Sequence, residues 1–156
     1  MTERTVTHAT FVIDRTYPAS LARVYNAFAD PNVKSRWFGD PETPPSEYSL
    51  DFRVGGHEIN RGGPPGGPIY TFEAVYQDIV PNERIVTTYE MHMGDARISV
   101  SLSTVEFTPD GASTRLTYTE QGAFLDGHDT PAIREHGTRE LLDALGAVLE
   151  REPVAG

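Results

Sequence analysis

The chain has 156 residues, with 13 basic and 23 acidic side chains and a formal net charge of −10. That length predicts one domain able to bury roughly 70% of its unfolded surface, and the acidic balance argues against nucleic acid or an anionic membrane as partner, because phosphates need a basic face. Cysteine is absent, which removes disulfides, thiol nucleophiles and cysteine-ligated metals.

No apolar run approaches the ~20 residues of a membrane helix. Met1 to Thr10 is polar and lacks the apolar centre of a signal peptide. A cytoplasmic location is the expectation. The basic set is almost all arginine, with Lys34 the only lysine. That preference reads as a compositional bias without functional meaning.

Residues 8–17 alternate, with Phe11 and Ile13 on one side and Val12 and Asp14 on the other, which predicts a first strand. Pro18 to Ala29 is read as a helix, because Leu21, Val24, Tyr25 and Phe28 make one apolar stripe. Asp30-Pro31 pairs a cap with a first-turn proline and predicts a short second helix to about Trp37. Pro41 to Pro45 is a loop. Tyr48, Leu50 and Phe52 then alternate with Ser49, Asp51 and Arg53 as a half-buried strand, and Gly55-Gly56 makes a turn.

His57 to Arg61 predicts the next strand, and Gly62 to Pro68 a hairpin loop. Tyr70, Phe72, Ala74 and Tyr76 share a face of the following strand. Pro81 to Arg84 forms a turn before a strand whose one face carries Ile85, Thr87, Tyr89, Met91 and Met93. In residues 97–108 the apolar phase flips from Ile98, Val100 and Leu102 to Val105 and Phe107, which predicts a β-bulge near Ser103 or Thr104. Asp110-Gly111 signals a hairpin, and Leu116 and Tyr118 mark the last strand. Asp129 or Thr130 caps a final helix whose buried stripe is read as Ile133, Gly137, Leu141, Leu145 and Val148 or Leu149. The tail from Pro153 to Gly156 is expected to fray. Strands joined by hairpins, with helices held to the start and end, define an α+β class with an antiparallel sheet.

Several segments carry a family resemblance: Ala19 to Phe28, Ala29-Asp30-Pro31 leading to Arg36-Trp37-Phe38, Val54-Gly55-Gly56, Val75 to Val86, and Val105-Glu106-Phe107 before Thr114-Arg115-Leu116. As an ordered set they resemble the START-like, or SRPBCC, superfamily of helix-grip folds. Within it the chain is most similar to the family related to the activator of the heat-shock-chaperone ATPase, over roughly Ala9 to Leu149. The resemblance implies a single START-like domain over residues 1–156, with a core of about 8–150. It implies a curved sheet of six or seven strands around a long C-terminal helix. It also implies a cavity between them. One departure is visible. Such proteins often carry Gly-Trp near the middle of the last helix, and here it reads His136-Gly137-Thr138.

The expected ligand-binding set follows from strand parity and that architecture. It comprises Tyr48, Phe52, Tyr70, Phe72, Tyr89, Met91 and Tyr118 facing inward, Trp37 at the pocket end, His57 on the face of Ile59, and His136 beside Gly137. Aromatic side chains in such a set either fill a core or line a pocket, and both readings stay open. The glycine at 137 is read as close helix–sheet packing in preference to room for a ligand, since a mid-helix glycine costs about 1 kcal/mol and needs a reason.

Chemistry is sparse. The five histidines form no HExxH-like ligand pair, so no metal or cofactor is expected. No G-x-S-x-G elbow exists, and the glycine runs lack a phosphate-loop ending. Among His57, Glu90, His92, Glu120 and His136, parity sends Glu90 and His92 to the face opposite Tyr89. His136 with Tyr89 would make a plausible acid–base couple. No catalytic residue is assigned.

The leading expectation is a soluble protein that binds a small hydrophobic or aromatic molecule between sheet and helix. The alternatives are a polyketide cyclase or dehydratase-like enzyme, and a chaperone co-factor acting through protein–protein contact. An exposed strand edge would also allow a homodimer.

Overall fold

The computed structural model describes residues 3–39 and 44–151. The predicted loop at residues 41–43 and the tail at 153–156 lie outside the described residues. In chain order the elements are β1 (Val6–Tyr17), α1 (Leu21–Ala29), α2 (Pro31–Lys34), β2 (Glu47–Leu50), β3 (His57–Gly62), β4 (Tyr70–Val80), β5 (Arg84–Met93), β6 (Ala96–Asp110), β7 (Ser113–Leu125) and α3 (Pro131–Arg151). The strands form one seven-stranded sheet in the order β1-β7-β6-β5-β4-β3-β2, every neighbour antiparallel. The sheet is open and curved, with α3 across its concave side and the short helices after β1, as the helix-grip reading expects.

Local chemistry sets the element ends. Ser20 accepts a hydrogen bond from the Arg23 amide and starts α1 at Leu21, the first residue of the apolar stripe and three residues after the expected start at Pro18. Asp30 closes α1 through its own amide and caps α2 through its side chain. The indole N–H of Trp37 donates to the Ala27 carbonyl at 2.9 Å and satisfies one of the orphaned acceptors at the end of α1. β2 stops at Leu50, short of the predicted Arg53, where the chain turns into Gly55-Gly56.

The core lies between α1, the C-terminal half of α3 and the β1–β7–β6 end of the sheet. Val24, Ala27, Leu116 and Leu145 are fully enclosed there. The Tyr17 hydroxyl donates to the Leu142 carbonyl at 2.7 Å, and Arg23 of α1 donates to the Leu149 carbonyl at 2.9 Å. This half of α3 is therefore seated on β1 and α1.

The bulge predicted at Ser103 or Thr104 is not there. β6 runs in unbroken register from Ser99 to Glu106 against β5, and the extra residue is Ile98, between the Met91–Ser99 and His92–Arg97 pairs. A second irregularity falls at Gln77 of β4. Without a bulge at 103, Ser99, Ser101 and Ser103 share the inward face with Val105 and Phe107, and all five are buried. Val100 sits on the outer face, 42% exposed. Apolar parity misplaced the bulge because the concave face of β6 is polar over half its length.

The α3 stripe also needs correction. Thr138, Leu142, Leu145, Val148 and Leu149 are the buried residues, and Ile133 is 63% exposed. A Cβ added at Gly137 would meet nothing within 4 Å, so close packing does not explain that glycine.

Gly56 is the position where close packing does apply. A Cβ there would sit 2.1 Å from the Asp51 carbonyl oxygen, whereas one at Gly55 (φ +84°) would meet nothing. Gly56→Ala is expected to cost about 3 kcal/mol by displacing backbone, and Gly55→Ala about 1 kcal/mol from the left-handed conformation alone. Urea denaturation of the two variants checks the order.

Candidate functional site

The N-terminal half of α3 stands away from the sheet. Between them lies a hollow of about 780 Å³, bounded by α3, by the segment from Lys34 to Gly39, by the β3–β4 hairpin at Gly62 to Pro64, and by the concave faces of β3 to β7. Ile133, Gly137 and Leu141 border it on the helix side, and Phe72, Tyr89 and Met91 on the sheet side. The exposed Ile133 thus borders this space.

Two buried carboxylates organise the walls. Glu58 of β3 is 1% exposed. Its Oε1 accepts from Lys34 Nζ at 2.7 Å and from the Tyr76 hydroxyl at 2.8 Å, and its Oε2 accepts from the Tyr48 hydroxyl at 3.0 Å. Lys34, itself 7% exposed, also places its ammonium 4.4 Å from the centre of the Phe38 ring. The single lysine, read above as compositional noise, is the counter-ion of a buried acid.

Glu120 of β7 is fully buried. Its Oε2 accepts from the Tyr89 hydroxyl at 2.7 Å, Ser101 at 3.0 Å and Arg134 Nη1 at 3.3 Å, while Oε1 accepts from Tyr118 at 2.7 Å. Both terminal nitrogens of Arg134 on α3 are fully used: Nη1 also donates to the Tyr89 oxygen, and Nη2 donates to Ser99 and Asp129. Each acid is thus paired with a cation and hydrogen-bonded on both oxygens, as a buried charge requires. Among the described residues no buried side-chain nitrogen or oxygen lacks a partner.

The phenols respond to this setting. Burial, reinforced by the adjacent carboxylate, raises the pKa of Tyr48, Tyr76, Tyr89 and Tyr118 far above the ordinary 10.0. Burial does the same to Tyr17. At Arg134 burial opposes the charge, but Tyr89, Glu120 and Asp129 outweigh it and the pKa rises. These phenols are donors at any physiological pH.

Of the residues expected from sequence, Trp37, Tyr70, Phe72, Tyr89, Met91 and Tyr118 border the hollow. Phe38, Phe72 and Tyr89 form a run of rings along it, with centroids 4.9 and 4.8 Å apart. Tyr48 stands behind the wall on Glu58, and Phe52 packs between Tyr25 and Tyr76. His57 is exposed, because it is Glu58 that points inward from β3. His136 faces solvent and pairs with Glu140 one turn on, so it does not meet Tyr89. Glu90 and His92 pair with each other at 2.7 Å, away from the hollow.

Lys34, Glu58 and Arg134 were missed. Glu120 was named, but its parity with Tyr118 on one strand, which already sent it inward, went unused. A signal existed for Glu58 too, since it alternates with His57 on a strand that must present one of them to the interior.

The family profile described as activator of Hsp90 ATPase homolog 1-like protein matches residues 18–150. The chain belongs to that family, as the resemblance read from its segments implies. No curated protein matches it. Among solved structures, a protein of Rhizobium leguminosarum is 44% identical, with a TM-score of 0.93 over 97% of this chain and 100% of that one. The Mll3558 protein of Rhizobium loti is 54% identical, with a TM-score of 0.88 over 93% and 99%. The CV1439 protein of Chromobacterium violaceum is 26% identical, with a TM-score of 0.71 over 90% and 96%. No helix is long and apolar enough to cross a membrane among the described residues.

Two measurements test the site. Glu120→Ala leaves the Tyr89, Tyr118 and Ser101 hydroxyls without their buried acceptor and Arg134 with Asp129 as its remaining carboxylate, and should cost about 3 kcal/mol in urea unfolding, whereas Glu120→Gln, which keeps an acceptor oxygen for one of the two phenols and offers an N–H to the oxygen of the other, should cost distinctly less. Second, the unfolded chain ionises its phenols near 10.0, whereas the folded chain keeps protons on Tyr17, Tyr48, Tyr76, Tyr89 and Tyr118. Folding stability is therefore full below about pH 10 and falls as pH rises above it. Absorbance at the phenolate band should show these five phenols ionising only as the protein unfolds.

Proposed function

We propose that this chain is a soluble, cytoplasmic START-like protein, one domain over residues 1–156 with its core at about 8–150, that binds a small, mainly apolar or aromatic molecule between the sheet and α3. The observation that carries the reading is the separation of α3 into a seated half and a free half. Leu142 to Leu149 pack into the core, while Ile133, Gly137 and Leu141 border an unfilled volume of about 780 Å³. An apolar side chain left at 63% exposure on that border gains by covering, at about 25 cal/mol per Å² buried. Volumes in this range suit a drug-sized ligand, and a mainly apolar lining of rings and aliphatic groups with polar groups among them is typical of such sites. Thr138, where relatives often carry tryptophan, leaves the space unblocked.

Ligand contacts in this reading come from Trp37, Tyr70, Phe72, Tyr89, Met91 and Tyr118. His57 is exposed and His136 pairs with Glu140 at the surface, so in the alternative reading as a cyclase or dehydratase-like enzyme the acid–base groups would come from the tyrosines that border the hollow. No observation favours the chaperone co-factor reading beyond the family name.

The test is native mass spectrometry of gently purified protein, followed by a thermal-shift screen of small aromatic molecules, since a ligand selective for the folded state raises the melting temperature. Gly137→Trp should abolish any shift by filling the hollow. It should keep the melting temperature of the free protein within a few degrees, because the new side chain enters open space and replaces a poor helix former. Retention of ligand by this variant would defeat the assignment of the site.

A further inference from the structure

The two buried acids differ in what they leave over. Around Glu120 the phenols of Tyr89 and Tyr118 and the Ser101 hydroxyl are spent on the acid, and the four terminal N–H bonds of Arg134 meet four acceptors. Around Glu58 the cation is not used up in this way. An ammonium carries three N–H bonds, and Lys34 places one on Glu58 Oε1 and makes no other hydrogen bond among the described residues. The side chain is 8% exposed and borders the hollow beside Phe38 and Phe72. A largely buried ammonium that gives one N–H bond to a protein oxygen and otherwise faces the Phe38 ring seeks further acceptors from whatever fills the space next to it.

Building on the function proposed above, we propose that Lys34 is the recognition group of the site, and that it takes an uncharged oxygen acceptor, a ketone, ester or amide carbonyl, at one end of an aromatic or apolar ligand. The charge state follows from the pair. Lys34 and Glu58 cancel, so an anionic ligand would bury a third charge without a partner, which costs more than the hydrogen bond returns. Arg36, also on the border, is exposed, where water screens it. A cationic ligand would face an ammonium. The ring run Phe38–Phe72–Tyr89 begins beside that ammonium, and a planar aryl group attached to the carbonyl lies along it.

The experiment compares three probes of one shape by calorimetry: 2-acetylnaphthalene, 2-ethylnaphthalene and 2-naphthoate. The ketone should bind at least roughly tenfold tighter than the hydrocarbon and the carboxylate, the scale of one charge-assisted hydrogen bond. Its carbonyl stretch should move to lower frequency on binding. In the double variant Lys34→Met with Glu58→Gln, which leaves no lone buried charge, the ketone should fall to the affinity of the hydrocarbon and the stretch should return. Equal binding of ketone and hydrocarbon to the native protein overturns the role of Lys34 and leaves the binding function standing. Tightest binding of the naphthoate overturns the charge argument. Failure of all three probes, with no ligand retained in native mass spectrometry, overturns both proposals.

Discussion

A buried carboxylate constrains everything around it, and this fold contains two. Glu58 draws donors from α2, β2 and β4, and Glu120 draws them from β5, β6, β7 and α3. Each acid therefore fixes a helix to the concave side of the sheet at a set distance. Apolar packing alone would let α3 settle onto the strands. The reach of Arg134 to Glu120, Tyr89, Ser99 and Asp129 holds the free half of the helix over the sheet while Leu142 to Leu149 seat the other half. The hollow is a geometric consequence of this arrangement.

The same constraint explains why the inner face of β6 is serine-rich. Ser101 donates to Glu120, and Ser99 receives Arg134. Leucine or valine at those positions would have left the acid and the guanidinium short of partners at a cost of about 1–3 kcal/mol each. Polar satisfaction took precedence over hydrophobic alternation, and the apolar residues Val100 and Leu102 were displaced to the outer face.

That exchange marks the boundary of what the sequence could tell. The order of elements, the antiparallel sheet, the turn at Pro81 to Arg84 and the Asp30-Pro31 restart were legible, because they rest on local turn and cap chemistry. The lining residues Phe72, Tyr89 and Met91 were legible from parity, because no irregularity interrupts β4 before Gln77 or falls on β5 itself. The bulge at Ile98, the inward Glu58 and the true stripe of α3 were not. Each depends on a polar residue being inside, and periodicity arguments assume the opposite. Two clues were nonetheless present. One lysine among 13 basic residues invites a positional reason, and Glu120 two residues from an inward Tyr118 must share its direction.

The two clusters are asymmetric in how far their donors are used within the protein. The Glu120 carboxylate and both terminal nitrogens of Arg134 are taken up by protein partners, which suits this pair to support. Lys34 and Glu58 balance in charge but not in donors, since three phenolic and ammonium groups serve the acid while the ammonium serves only it. Relatives that share the fold can keep the first cluster as scaffold and vary the second. Under the proposed reading, the part of this chain that would set ligand preference is the Lys34–Glu58 pair of α2 and β3, together with Thr138, a small residue on the border of the hollow.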